Sequence, residues 1–249
     1  MLSPNQINDI KAQAYIGEPS LLSGVTFVQT PSMGEIIRMG VSRYQSLLGL
    51  LLLTETDIVK IIKEKTGEER PIEEIYPLSY LLTSASLDDM FLLELQTAFS
   101  TFIKEDILLL PKINSVLVGP PHEKRLITND NWGDFQDILR IQNRKEMKEA
   151  PPENESAIAR KFRLKREARD AAKRKQQAKN GEEQSLAELL EIAETFGVDP
   201  KAHSLYAFYG LVSRHQMREK WEQDIRMICA GADPKKLKTK YWGESSKEK

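Results

Sequence analysis

The stretch from Ala207 to Trp242, AFYGLVSRHQMREKWEQDIRMICAGADPKKLKTKYW, carries the clearest helical pattern in the chain. Trp221, Ile225 and Ile228 follow one another at intervals of four and three residues, and Met217 comes one turn earlier, so the four share one face of a helix. The pattern predicts a long helix whose apolar face packs against a core or a partner.

The end of this helix is also visible in the sequence. Gly231 suits the left-handed position after a helix C-terminus, and Asp233-Pro234 cannot continue a helix. Cys229 lies on the apolar side and is predicted to be buried; as the single cysteine, it excludes an intramolecular disulfide and a cysteine-based metal cluster.

Six of the eighteen aromatic residues fall between positions 206 and 242. They form either the core of a small C-terminal domain or a contact surface for an apolar partner segment, and the sequence leaves both open. For the second case, the candidate partner-binding residues are Tyr206, Phe208, Tyr209, Trp221, Ile225, Tyr241 and Trp242.

Upstream, the sequence predicts a mainly α fold. Ser32 with Glu35, and Thr54 with Asp57, have the spacing of capping boxes that open helices. Residues 1–24 are expected to form a loosely structured arm, with room for one short helix from Asn8 to Tyr15. Three short β-branched runs separated by turn residues in 107–128 predict a small antiparallel hairpin or meander.

The domain organisation follows from composition. A helical N-terminal domain with the β insertion is expected over residues 1–149, a charged connecting helix over 150–182, and a small helical C-terminal domain over 183–249. Residues 160–179 carry ten Lys/Arg and two acidic residues, whereas residues 1–159 carry 15 and 23. An acidic first domain is therefore followed by a basic segment.

This basic segment has three interpretations: a solvated helical connector, a surface that docks on an acidic protein, or a phosphate-binding patch for nucleic acid. Phe162 is its single aromatic residue and the rest of the chain is acidic, which disfavours nucleic acid. The basic patch consists of Arg160, Lys161, Arg163, Lys165, Arg166, Arg169, Lys173, Arg174 and Lys175.

Catalytic and cofactor chemistry have no support in the sequence. His122, His203 and His215 are scattered and match no metal-ligand spacing. The glycine-containing segment after Gly231 follows a helix C-terminus, where the dipole repels phosphate. We therefore expect a protein that is not an enzyme, with no catalytic residues, metal or cofactor.

The longest apolar run, Leu47–Leu53, has seven residues, where a membrane span needs about 20. The N-terminus shows no basic flank followed by an apolar segment, so no secretory signal is expected. A cytoplasmic protein without membrane contact is the resulting expectation.

Two ends of the chain carry a family resemblance. The run Thr30–Gly40, TPSMGEIIRMG, followed by Tyr44, resembles the opening of a group of bacteriophage and prophage proteins from Gram-positive hosts. Their C-terminal ending is similar to Ala230–Asp233, Lys235-Lys236 and Trp242.

The group is encoded among tail genes and is regarded as tail assembly chaperones. The resemblance implies a non-enzymatic protein of the host cytoplasm that holds the tape measure protein, or another tail protein, during assembly. A structural component of the virion and a nucleic-acid-binding accessory protein remain alternatives. An acidic protein surface and further copies of this chain are additional candidate partners.

Overall fold

The computed structural model describes residues 2–67, 71–145 and 186–233. The chain divides into two units: the first comprises residues 1–146 together with 201–210, and the second comprises residues 147–200 and 211–249. Residues 201–210, assigned from the sequence to a C-terminal domain, thus belong with the first unit. The connecting helix predicted over residues 150–182 lies entirely outside the described residues.

The described part of the chain is mainly α-helical with two small antiparallel sheets, as the sequence predicts. The helices are α1 (Pro4–Ile16), α2 (Met33–Met39), α3 (Val41–Leu51), α4 (Glu55–Thr66), α5 (Pro77–Leu87), α6 (Asp89–Phe102), α7 (Asn129–Gln142), α8 (Leu186–Thr195) and α9 (Leu205–Cys229). The strands are β1 (Ser20–Leu22), β2 (Thr26–Val28), β3 (Ile107–Leu110), β4 (Ser115–Val118) and β5 (Arg125–Ile127). Among these elements, no helix combines the length and apolar composition that a membrane crossing needs.

The predicted capping boxes are present. The Ser32 side chain accepts a hydrogen bond from the backbone N–H of Glu35, and the Glu35 carboxylate accepts one from the backbone N–H of Ser32. Thr54 and Asp57 exchange the same two bonds. The hydrogen bond from the Ser32 backbone is the main reason why the pKa of Glu35 is lowered. Each box satisfies two N–H groups that a helix start leaves without a partner.

The N-terminal region is more ordered than its prediction. The short helix expected at Asn8–Tyr15 is the longer α1, β1 forms a hairpin with β2 where a loose arm was expected, and α1 packs against α7. A capping box between Ser3 and Gln6 starts α1, and Gly17, at a φ of 82°, ends it. Ile10 and Ala14 are its buried residues, a number too small to show a clear helical period in the sequence.

The core of the first unit is built around α7. Its Trp132 and Phe135 rings lie 5.3 Å apart between centroids, and Phe99 from α6 stacks on Phe135 at 5.9 Å. Gln136, also buried, donates from Nε2 to the carbonyls of Leu51 and Leu53, which connects α7 to the end of α3. α7 therefore supplies both the aromatic centre and the polar link of this core.

The meander predicted over residues 107–128 is confirmed as β3–β4–β5. Arg125 on β5 donates to the Glu105 carboxylate, to Oε1 at 3.0 Å and to Oε2 at 2.5 Å, and also to the carbonyl of Val25. Glu105 accepts a further bond of 2.6 Å from the Thr26 hydroxyl. These bonds connect the meander to the β1–β2 hairpin.

Candidate partner-binding surface

The seven candidate partner-binding residues fall in different parts of the chain. Tyr206, Phe208 and Tyr209 belong to the first unit, while Trp221 and Ile225 belong to the second. Tyr241 and Trp242 lie outside the described residues, as do all residues of the predicted basic patch.

The segment before and at the start of α9 is attached to the first unit through its backbone. The N–H of Met33 donates to the carbonyl of His203 at 2.9 Å, and the hydroxyl of Ser204 donates to the carbonyl of Ala14 at 2.5 Å. The same hydroxyl accepts from the N–H of Ala207 at 3.1 Å, as an N-cap does. The first turn of α9 is thereby fixed to α1 and α2.

Arg144 covers the next part of α9, a role that no local pattern in the sequence indicates. It occupies the left-handed position after α7, with φ 50°, in a Schellman-type end where Lys145 N–H donates to the carbonyl of Arg140. Its guanidinium carbon lies 4.3 Å from the centre of the Tyr206 ring, a cation–π distance. Gly210, one turn later, leaves room for the guanidinium, since a Cβ there would lie 2.5 Å from Nη2.

The three aromatic residues in this part of α9 therefore have contacts inside the unit. Phe208 is 0% exposed and belongs to the core. Tyr209 is half-buried beside it, and burial raises the pKa of its phenol. We conclude that Phe208 fits the first interpretation, a core residue, and not a surface for a partner.

The second half of α9, from Leu211 onward, presents apolar side chains to solvent. Ile225 is 37% and Met227 44% exposed, and Trp221 is half-buried. Cys229 is exposed, so the predicted burial of this residue is wrong. It sits in the last turn of α9, where few neighbours cover a side chain.

Polar residues next to these apolar ones pair within the helix. Nε of Arg218 lies 2.8 Å from Oε1 of Glu222, four residues later, and both side chains are solvent-exposed. At the other end of the unit, the imidazole of His215 stacks on Phe196, which follows α8, with centroids 4.6 Å apart and planes inclined by 11°. The stacking connects α8 to α9 inside the second unit.

The predicted end of α9 is confirmed. Gly231 has a φ of 97°, its N–H donates to Ile228, and the N–H of Ala232 donates to Met227. These bonds satisfy carbonyls that the helix end would otherwise leave open.

Groups with altered pKa values in the described residues have structural partners or burial as the cause. Burial raises the pKa of Asp137, against the opposing effect of Arg140, and burial also raises that of Tyr44, whose hydroxyl donates to Asn143 at 2.5 Å. Within the same ranges, no group of three or more His, Cys, Asp or Glu residues is arranged to hold a metal ion.

Comparison of the chain with family models, curated proteins and solved structures finds no match in any of the three. The resemblance to tail assembly chaperones stays a prediction.

Proposed function

We propose that this chain is a non-enzymatic phage tail assembly chaperone that keeps the tape measure protein soluble in the host cytoplasm until the tail is built. The proposal starts from the resemblance at the two ends of the chain. The structural observation that supports it is the exposure of Ile225, beside the half-buried Met217, Trp221 and Ile228 on the same face of the second half of α9.

A holding protein needs an apolar surface that does not make it aggregate. Apolar side chains that form a contiguous exposed patch typically mark contact sites, and an amphipathic helix of a partner can cover such a row with its own apolar residues. The neighbouring Arg218–Glu222 pair keeps a charged strip beside the row. The surface thus offers apolar contact while the helix remains hydrated on its other side.

Co-expression with the tape measure protein of the same tail gene cluster tests the proposal. The variant Ile225→Glu should lower the soluble amount of the tape measure protein, because a charge in a buried contact costs at least about 2 kcal/mol, or roughly 30-fold in affinity. Ile113→Glu is the matched control, since Ile113 is an exposed isoleucine on the turn between β3 and β4. Equal solubility with both variants would contradict the assigned surface.

The exposed Cys229 gives a direct measure of contact. It is the single cysteine of the chain, so a photo-activated maleimide cross-linker attaches at the end of α9 alone. We expect cross-links to the tape measure protein in the co-expression lysate. Products that lack that protein would contradict binding at α9.

Quantitative mass spectrometry separates the chaperone from a structural component. A chaperone is abundant in infected-cell lysate and missing from particles purified from the same culture. A fixed copy number per particle would instead identify a virion protein and refute the proposal.

A further inference from the structure

The outer face of α6 is uncharged over about three turns and carries two apolar and three hydroxyl side chains. Positions 90, 93, 97, 100 and 101 fall within roughly 100° of arc, since successive residues of an α-helix are separated by about 100°. Met90 is 75% and Leu93 57% exposed, while Leu95, Phe99 and Phe102 on the opposite side are buried. α6 therefore has a second, uncharged face that the core of the first unit does not use.

The two threonine hydroxyls on this face already donate within the helix. Thr97 donates to the carbonyl of Leu93 at 2.7 Å, and Thr101 donates to the carbonyl of Thr97 at 2.8 Å. Glu94, an acidic side chain at the edge, is engaged by Arg43 at 2.8 Å. A partner helix can thus cover these positions without stranding either threonine donor or the Glu94 charge.

We propose that this face binds the same face of a second copy of the chain, with the two α6 helices antiparallel about a two-fold axis near residue 95. The long side chains, Met90 and Leu93, lie in the N-terminal half, and the smaller Thr97 and Thr101 lie in the C-terminal half. An antiparallel pairing places Met90 opposite Thr101 and Leu93 opposite Thr97. Large residues then meet small ones in both halves of an isologous contact.

Charge favours the same orientation. Asp88 and Asp89 stand at the N-terminal end of α6, and the exposed Lys104 follows its C-terminal end by two residues. In the antiparallel arrangement each acidic end meets the partner's lysine end, and the helix dipoles oppose each other favourably. A parallel pair would instead place acidic ends together and Met90 against Met90.

The inference goes beyond the proposed chaperone function and uses a different surface. A single helix pair buries less than the roughly 1,200 Å² of a standard interface, so we expect a dissociation constant in the micromolar range. Failure of the dimer would leave the α9 proposal untouched, and the reverse also holds.

Sedimentation equilibrium of the purified full chain over a concentration series tests the contact. The wild type should shift from monomer to dimer as concentration rises. Leu93→Glu should weaken the dimer at least about tenfold, because it places two carboxylates near the axis, whereas Ile113→Glu should leave the dissociation constant unchanged. A wild type that stays monomeric throughout, as expected if another protein is the natural occupant, or a Leu93→Glu variant with an unchanged constant, overturns the proposal.

Charge exchange tests the orientation. Asp89→Lys and Lys104→Glu should each weaken the dimer by about fivefold, the effect of losing an exposed charge pair. The double variant restores the pairing with its signs reversed and should recover the wild-type constant. A double variant whose dissociation constant shows the combined weakening of the two single variants would exclude the antiparallel arrangement. Melting curves verify that each variant is folded.

Discussion

Truncation of Phe208 tests whether the start of α9 is part of the N-terminal core. This residue lies 62 positions beyond residue 146, where the N-terminal stretch of the first unit ends, yet its side chain is fully buried. If it belongs to that core, Phe208→Ala must destabilise residues far upstream in the sequence.

The expected magnitude follows from burial. Removing a fully buried phenylalanine side chain typically costs about 3–5 kcal/mol, which includes the cavity left behind. For a unit of this size, each kcal/mol lowers the melting temperature by about 2–4 °C. Phe208→Ala should therefore lower the melting temperature of the first unit by roughly 6–20 °C.

Trp132 is a suitable reporter because it is buried in the α7 core against Phe99 and Phe135. With Trp221 and Trp242 replaced by phenylalanine, the emission of the full chain comes from Trp132 alone, since the sequence contains three tryptophans. The unfolding midpoint of this signal is then compared with and without Phe208→Ala.

Ile225→Ala is the control, because Ile225 is solvent-exposed on the same helix. It should change the Trp132 midpoint by no more than about 2 °C, as surface substitutions usually do. If Phe208→Ala behaves like this control, residues 201–210 do not complete the first unit and the assignment of Phe208 to its core is refuted.

Two further predictions concern polar contacts of the first unit. Hydrogen bonds, first from Arg125 and then from Thr26, lower the pKa of Glu105, so their contribution to stability is fully present above the ordinary value of 4.5 and is lost as the pH falls through the lowered pKa. Glu105→Gln should therefore melt below the wild type near neutral pH and at the same temperature only at low pH. A difference in melting temperature that does not change with pH would contradict this. Tyr44→Phe should lower the free energy of unfolding by about 1–3 kcal/mol, because it leaves the buried side-chain oxygen of Asn143 without its donor. Urea unfolding measures this change, and an unchanged urea midpoint would show that the bond contributes nothing.

Local signals explain why much of the fold could be predicted from the sequence. The capping boxes at Ser32 and Thr54 and the turn at Gly231 depend on residues within a few positions of one another. The start of α6 shows the limit of such signals, because the spacing of Ser86 and Asp89 predicts a cap at Ser86 and a helix from Leu87, and this prediction is wrong. The structure uses Asp88, which accepts from the N–H groups of Met90 and Phe91, while the Ser86 hydroxyl donates to a carbonyl within α5.

Long-range contacts explain what could not be predicted. The bond from Ser204 to the carbonyl of Ala14 joins residues 190 positions apart, and neither residue type indicates the other. Phe208 and Ile225 are both apolar residues of α9, yet the first is buried and the second exposed. Helical spacing identifies a shared element, but only the tertiary packing separates core residues from contact residues.

The break in the first unit also has a consequence for biosynthesis. Residues 147–200 belong to the other unit but must be translated before Phe208 exists. At roughly 5–20 residues per second, the ribosome needs several seconds to cross this interval. During that time the nascent N-terminal unit has every helix through α7 but lacks the aromatic ring that fills its core. Its final packing therefore waits for translation of the start of α9, and the order of synthesis makes α9 the last part of that core to arrive.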